Sequence, residues 1–225
     1  MTMVRKFSAD ALLFDSDETL VSSMKSVFRC WSQWADEHGI TVDAIKAVQP
    51  HGRPAAAIVA DLLPADRVAS ALAQLERAEV ADAAAGGVVP IPGSQELLAS
   101  LPADRWAVVT SGTRRVADAR LAAAGVHARH VITVDDITRH KPDPQPFLVA
   151  AQRLGVDPAR CIVFEDAPAG LTAARAAGMT TVAVATTHNA SDLDADAVVP
   201  DLSAVTACTT DSGVEVTITL SEGTP

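Results

Sequence analysis

Ala11-Leu12-Leu13-Phe14-Asp15-Ser16-Asp17-Glu18-Thr19-Leu20 joins a short apolar run to a closely spaced pair of acids. Its four leading apolar residues form an uninterrupted run, the pattern of a short strand covered on both faces. Asp15 and Asp17 follow at the carboxyl end of that strand, two residues apart. Ionised carboxylates this close repel, and both stay charged only where a cation or hydrogen-bond donors compensate. Such a pair calls for a cation site, basic groups and a substrate supplied by the rest of the chain.

Moving outward, residues 22–38 place Met24, Val27, Phe28, Trp31, Trp34 and Ala35 at helical spacing, with Gly39 as a stop. A tryptophan stripe at this spacing reads as packing more readily than as a ligand platform. Helical patterns continue through 41–86, with Pro54 suited to a helix first turn, and end at Gly86-Gly87. An all-helical insertion thus separates the first strand from the next, with Val21 and Val88–Pro92 as its hinges.

From Pro92 the rhythm alternates. Helices are expected at 94–100, 113–124, 145–154 and 168–177, and strands at 106–109, 131–134, 161–164 and 181–184, with a short further strand at 197–199. Strands alternating with helices of this length predict an α/β fold with a doubly wound, Rossmann-like parallel sheet. The tail alternates Val214, Val216, Ile218 and Leu220 with polar residues behind a turn at Asp211-Ser212-Gly213, so 205–209 and 214–220 are expected to form a hairpin at the sheet edge.

Ligands of an open parallel sheet bind outside the carboxyl ends of its strands. Those ends carry, in order, Asp15 and Asp17; Thr110-Ser111-Gly112-Thr113; His140-Lys141-Pro142; and Glu165-Asp166. Each alone reads as a solvated loop, but the sheet brings all four to one edge. The chemistry is that of phosphoryl transfer. Asp15, Asp166 and Glu165 offer the hard oxygens that Mg²⁺ takes. The Ser111 hydroxyl, the Gly112 N–H and the Lys141 ammonium suit the phosphate oxygens. One carboxylate can act as nucleophile and a second as acid and base.

These residues resemble the haloacid dehalogenase superfamily of phosphotransferases. Asp15 to Leu20 matches its first motif, Asp-x-Asp-Gly-Thr-Leu, except at Glu18. Thr110-Ser111-Gly112, Lys141-Pro142 and Glu165-Asp166 with Ala169-Gly170 are similar to the second, third and fourth motifs, over essentially the whole chain. The resemblance implies that Asp15 is the nucleophile and a Mg²⁺ ligand. It implies that Asp17 is the acid/base, with its backbone carbonyl on the metal. Asp166 would be a ligand, supported by Glu165, and Ser111, Gly112 and Lys141 would hold the phosphoryl group. It implies a catalytic core at 1–20 and 91–225 and a helical cap at 21–90 that selects the substrate. Within the superfamily, His51-Gly52-Arg53 is similar to a cap loop in phosphatases of small sugar and polyol phosphates, the 2-deoxyglucose-6-phosphate and glycerol phosphate phosphatase type. His51 and Arg53 either contact the substrate or form a solvated turn.

Glu18 occupies a position that is usually glycine, where φ can be positive. Its side chain points outward at the hinge in the preferred reading. In the others it perturbs metal or substrate binding, or marks an impaired enzyme. A sugar phosphomutase and a catalytically impaired phosphate-binding protein stay open beside the leading expectation, a Mg²⁺-dependent sugar or polyol phosphatase. His140 precedes Lys141 where glycine is common, and reads as a loop residue or a cover for the phosphate site. His38, His127, His130 and His188 lack ligand spacing and read as surface or helix-end residues. Asp135 and Asp136 either tether Lys141 or solvate their turn, and Arg114 and Arg115 read as solvated.

Composition narrows the field further. A net charge of −10 with no basic stripe argues against nucleic acid as a partner. Cys30, Cys161 and Cys208 are few and scattered, so small buried hydrophobes in a reducing compartment are expected. No apolar run approaches the roughly 20 residues of a membrane span. A cytoplasmic monomer or weak dimer acting on a phosphorylated small molecule is the resulting expectation.

Overall fold

The computed structural model describes residues 2–48 and 53–221. Strand β1 (Thr2–Ala9) precedes β2 (Ala11–Phe14), and β3 (Val21–Ser22) follows. Four helices come next: α1 (Met24–His38), α2 (Val42–Ala47), α3 (Ala55–Leu62) and α4 (Ala65–Asp82). The chain continues through β4 (Val89–Pro90), α5 (Ser94–Ala99), β5 (Trp106–Val109), α6 (Arg114–Ala123), β6 (Val131–Ile132) and α7 (Gln145–Leu154). It closes with β7 (Cys161–Glu165), α8 (Pro168–Ala176), β8 (Thr180–Val184), β9 (Ala197–Val199), β10 (Val205–Thr210) and β11 (Gly213–Ser221).

Six strands form one sheet in the order β6-β5-β2-β7-β8-β9, and every neighbouring pair is parallel. Strand β2 lies inside the sheet, so Asp15 and Asp17 emerge between the ends of β5 and β7. Alternation along the strands splits the core between two faces. Leu12, Phe14, Val108 and Phe164 pack with Leu97 and Leu98 of α5, Ala117 and Leu121 of α6, and Val214, Val216 and Ile218 of β11. Leu13, Ala107, Val109 and Val163 pack with Phe147, Ala150 and Ala151 of α7 and with Ala173 and Ala174 of α8. Burial on both faces explains the unbroken apolar runs of β2 and β5. The Phe14 and Phe164 rings stack at a centroid distance of 4.9 Å.

The helical segment leaves and rejoins through β3 and β4, which pair antiparallel as Val21↔Pro90 and Ser22↔Val89. It has its own apolar core of Cys30, Trp34, Ala35, Val59, Leu63, Ala71 and Leu75. The Trp34 indole N–H donates to the Ala71 carbonyl at 3.0 Å and fixes α1 against α4. Gly39 ends α1 at φ 68°, a left-handed position open to glycine at little cost. Among the described residues no helix is long and apolar enough to cross a membrane.

Several expectations need correction. The tail hairpin forms, but its partner is β1 rather than an edge of the parallel sheet: β1, β11 and β10 make a separate antiparallel sheet, with Thr2↔Ser221 and Ala9↔Val214 in register. Strand β6 stops at Ile132, because Thr133 turns the chain: its hydroxyl caps the turn and its N–H donates to the Asp136 carboxylate. Cys30 and Cys161 are buried, but Cys208 on β10 is exposed.

Candidate active site

The sheet delivers its chemistry as its topology requires. Among the described residues, Asp15, Glu165 and Asp166 each bring a carboxylate oxygen within 4.8 Å of the other two. All three are buried. The Lys141 ammonium donates to Asp15 Oδ1 at 2.6 Å, to Glu165 Oε2 at 2.8 Å and to the Val109 carbonyl at 3.0 Å. Glu165 lies over the first turn of α8, where a Cβ on Gly170 would stand 2.0 Å from its carboxylate. That close approach explains why glycine follows the acid pair.

Burial and the Glu165 charge push Asp15 up to about 8. Burial likewise raises Glu165 and Asp166, each to about 7. Burial alone would lower the Lys141 ammonium, but the Asp15 and Glu165 carboxylates outweigh it and hold it above its ordinary value. One cation thus faces three buried acids, a hard-oxygen donor set with negative charge still to be balanced. Such a set fits Mg²⁺.

Asp17 stands apart from that cluster. Its Oδ1 accepts from the Ser23 hydroxyl at 2.6 Å and from Arg120 Nη1 at 2.8 Å. Arg120 Nη2 donates to Glu79 Oε1 on α4 at 3.1 Å. Ser111 and Gly112 border the cavity, although the Gly112 N–H donates to Thr110 Oγ1. The cavity holds about 640 Å³ between the strand ends and the helical segment. Its floor is Asp15, Asp17, Lys141 and Asp166; its roof is largely apolar, with Val27, Trp31, Ile58, Leu72 and Leu75 beside the charged Arg53, Glu76 and Glu79.

Glu18 departs from the preferred outward reading. It adopts φ 59° and is buried, and its Oε1 accepts from the backbone N–H groups of Ser23 and Met24, each at 2.7 Å. Its carboxylate caps the start of α1, where free N–H groups and the helix dipole favour a negative charge.

His51 lies outside the described residues. Arg53 borders the cavity, with its guanidinium donating to the Val48 carbonyl and to Asp61. His140 is half-buried in its loop and is not among the residues that border the cavity. His188 does border it, beside Thr187, and is no plain surface residue. Asp135 and Asp136 do not touch Lys141 and are not merely solvated. Asp136 binds Arg114 and Arg153, and Asp135 caps the Arg114 N–H. Arg115 pairs with Glu76.

Three site residues carry only faint sequence signals: Arg120, Glu79 and Thr187. Arg120 follows Thr113 and Val116 at helical spacing, and Glu79 follows Leu72 and Leu75. Each is a charge on an otherwise inward stripe. Thr187, whose hydroxyl donates to Asp166 Oδ2 at 2.5 Å, lies in the loop after β8.

The family model for haloacid dehalogenase-like hydrolases matches residues 9–178. The chain belongs to this family. It is 39% identical over 176 residues to hexitol phosphatase A of Escherichia coli, covering 76% of this chain and 81% of that one. It is 31% identical over 226 residues to 2-deoxyglucose-6-phosphate phosphatase 1 of Saccharomyces cerevisiae, covering 89% and 91%. A hydrolase from Pseudomonas syringae has the same fold in its crystal structure, with a TM-score of 0.75 at 25% identity over 86% of this chain and 94% of that one. A haloacid dehalogenase-like hydrolase is thus built on the sheet and acid cluster described above.

Proposed function

We propose that this hydrolase removes phosphate from a small sugar or polyol phosphate, with Mg²⁺ as cofactor and an aspartyl-phosphate on Asp15 as intermediate. The observation that carries the reading is the convergence of Asp15, Glu165, Asp166 and Lys141 at one sheet edge beneath the cavity. The names of the relatives support a phosphoric monoester as the substrate class.

Asp15, Asp166 and the Asp17 carbonyl would hold the ion, with Glu165 beside them. An ion held there would neutralise carboxylates and polarise a phosphoryl oxygen. Lys141 holds Asp15 through Oδ1 and supplies positive charge for the phosphoryl group, with Ser111 at the same floor. Asp15 attacks phosphorus and the bond to the alcohol oxygen breaks. Asp17 gives that oxygen its proton and then takes one from the attacking water, whose attack frees phosphate and restores Asp15. Segment 21–90 serves as the substrate-selecting cap. The apolar side chains of its roof suit the C–H faces of a ring or polyol chain, and Arg53, Glu76 and Glu79 beside them offer polar partners for its hydroxyls. Glu18 does not argue for an impaired enzyme, because its carboxylate is spent on α1 rather than on the acid cluster.

The test is phosphate release from a panel of sugar and polyol phosphates, with Mg²⁺ and with a chelator. Release is expected with Mg²⁺ alone, and Asp15→Asn is expected to lower it on the order of a thousandfold or more, as loss of a nucleophile does. No Mg²⁺-dependent release from any member, or full activity in Asp15→Asn, sinks the reading.

A further inference from the structure

Arg120 is buried on α6, and its partners come from two different parts of the chain. One is Asp17, at 2.8 Å from Nη1; the other is Glu79 of α4, at 3.1 Å from Nη2. The helix that carries Arg120 starts at the loop bearing Ser111, with the Thr113 hydroxyl accepting from the Val116 N–H at its first turn. Thr113, Val116 and Arg120 then share the face that borders the cavity.

Stability alone does not explain an arginine here. The neighbouring inward positions of α6 are Val116, Ala117 and Leu121, and replacing a buried ion pair by apolar residues of similar volume is often neutral or stabilising. The Arg120 Nε also stays buried without a partner, a further cost. What the guanidinium supplies that an aliphatic chain cannot is direction. Its planar fork grips two carboxylates in fixed orientation. Both donors to Asp17, Arg120 Nη1 and Ser23 Oγ, take Oδ1. Among the described residues nothing donates to Oδ2. Glu79 meanwhile balances the guanidinium, so Asp17 meets a donor whose charge is already shared.

We propose that Arg120 is a positioning residue for the hydrolysis: anchored by Glu79 of α4, it pins Asp17 through Oδ1 so that Oδ2 is the oxygen that passes the proton to the leaving alcohol. This rests on the reading of Asp17 as the acid/base. Because Glu79 belongs to the helical segment and Arg120 to the sheet-bearing part, the acid is aligned only while α4 is seated over the cavity. Substrate enclosure and proton transfer are thereby tied to one side chain.

The experiment compares two probes in Mg²⁺: the best substrate of the sugar and polyol panel, whose alkoxide must be protonated, and p-nitrophenyl phosphate, whose leaving group departs as a stable anion. The readout is kcat/KM, which reports the steps up to loss of the alcohol. Arg120→Gln is expected to lower kcat/KM about 10- to 100-fold for the alkyl phosphate, a share of what general acid catalysis supplies, and less than about threefold for p-nitrophenyl phosphate. Arg120→Lys is expected to recover part of the alkyl activity, and Glu79→Gln to show the same split in milder form. Should Arg120→Gln not fold, Glu79→Gln and Ser23→Ala carry the comparison. Equal falls on both probes, or no fall on the alkyl phosphate, overturn the proposal while the phosphatase reading stands. No hydrolysis of either probe by the unaltered chain overturns both.

Discussion

Glu18 sits in the left-handed region, where a side chain costs about 1–2 kcal/mol, and it is the one non-glycine residue there among those described. Against that cost stand two charge-assisted bonds to the start of α1, where a cap contributes about 0.5–2 kcal/mol. The two effects nearly offset, which is how an acid can replace the customary glycine. The substitutions separate them. Glu18→Ala keeps the strain and loses the cap, and is expected to cost about 2 kcal/mol. Glu18→Gly loses the cap but relieves the strain, and is expected to cost about 1 kcal/mol or less. Urea unfolding of both variants measures the order. A tenfold or greater rise in turnover of Glu18→Gly would mean instead that Glu18 impairs the enzyme.

Helix α8 shows the same coupling at the level of an element. Alanine in place of a helical glycine ordinarily stabilises by about 0.5–1 kcal/mol. At Gly170 the sign should reverse, because the new Cβ would stand 2.0 Å from the Glu165 carboxylate, and overpacking costs about 1–3 kcal/mol. Displacing Glu165 also removes a partner of Lys141, so Mg²⁺ affinity by calorimetry should weaken about 10-fold or more; unchanged affinity would show that Glu165 is not held by that turn. Elements of this kind were readable in the sequence where one short window contains their cause. The parallel strands announce themselves by unbroken apolar runs, and the acids and lysine at their ends become a site once the sheet is assumed. Strand β1 could not be read this way. Its mixed Met3-Val4-Arg5-Lys6 gains meaning only from β11, at the far end of the chain. Arg120 and Glu79 fail for a related reason: a charge on a helix reads as solvated until the facing helix supplies its partner.

Across the whole molecule the acid cluster ties stability to pH. Asp15, Glu165 and Asp166 rise to about 8, 7 and 7 in the folded chain, from ordinary carboxylate values near 4. Between those limits the folded state binds more protons than the unfolded one, so the stability they contribute is present at acid pH and lost as pH rises through about 7 to 8. Asp136 acts in the opposite sense. Against the effect of burial, Arg153 and Thr133 hold it down at about 2, so its contribution is lost only in strong acid. In chelator, the melting temperature is therefore expected to fall from pH 6 to pH 8.5. The chain's net charge of −10 adds repulsion in the same direction, so the cluster's share is isolated by Asp15→Asn, which should flatten the slope at fixed ionic strength. Mg²⁺ held at the proposed site would take the ionised acids and would stabilise by mass action, so its stabilising shift is expected to be larger at pH 8.5 than at pH 6. A metal-free chain that grows more stable toward pH 8.5, or a Mg²⁺ shift that does not depend on pH, would show that these three carboxylates are already ionised without the ion.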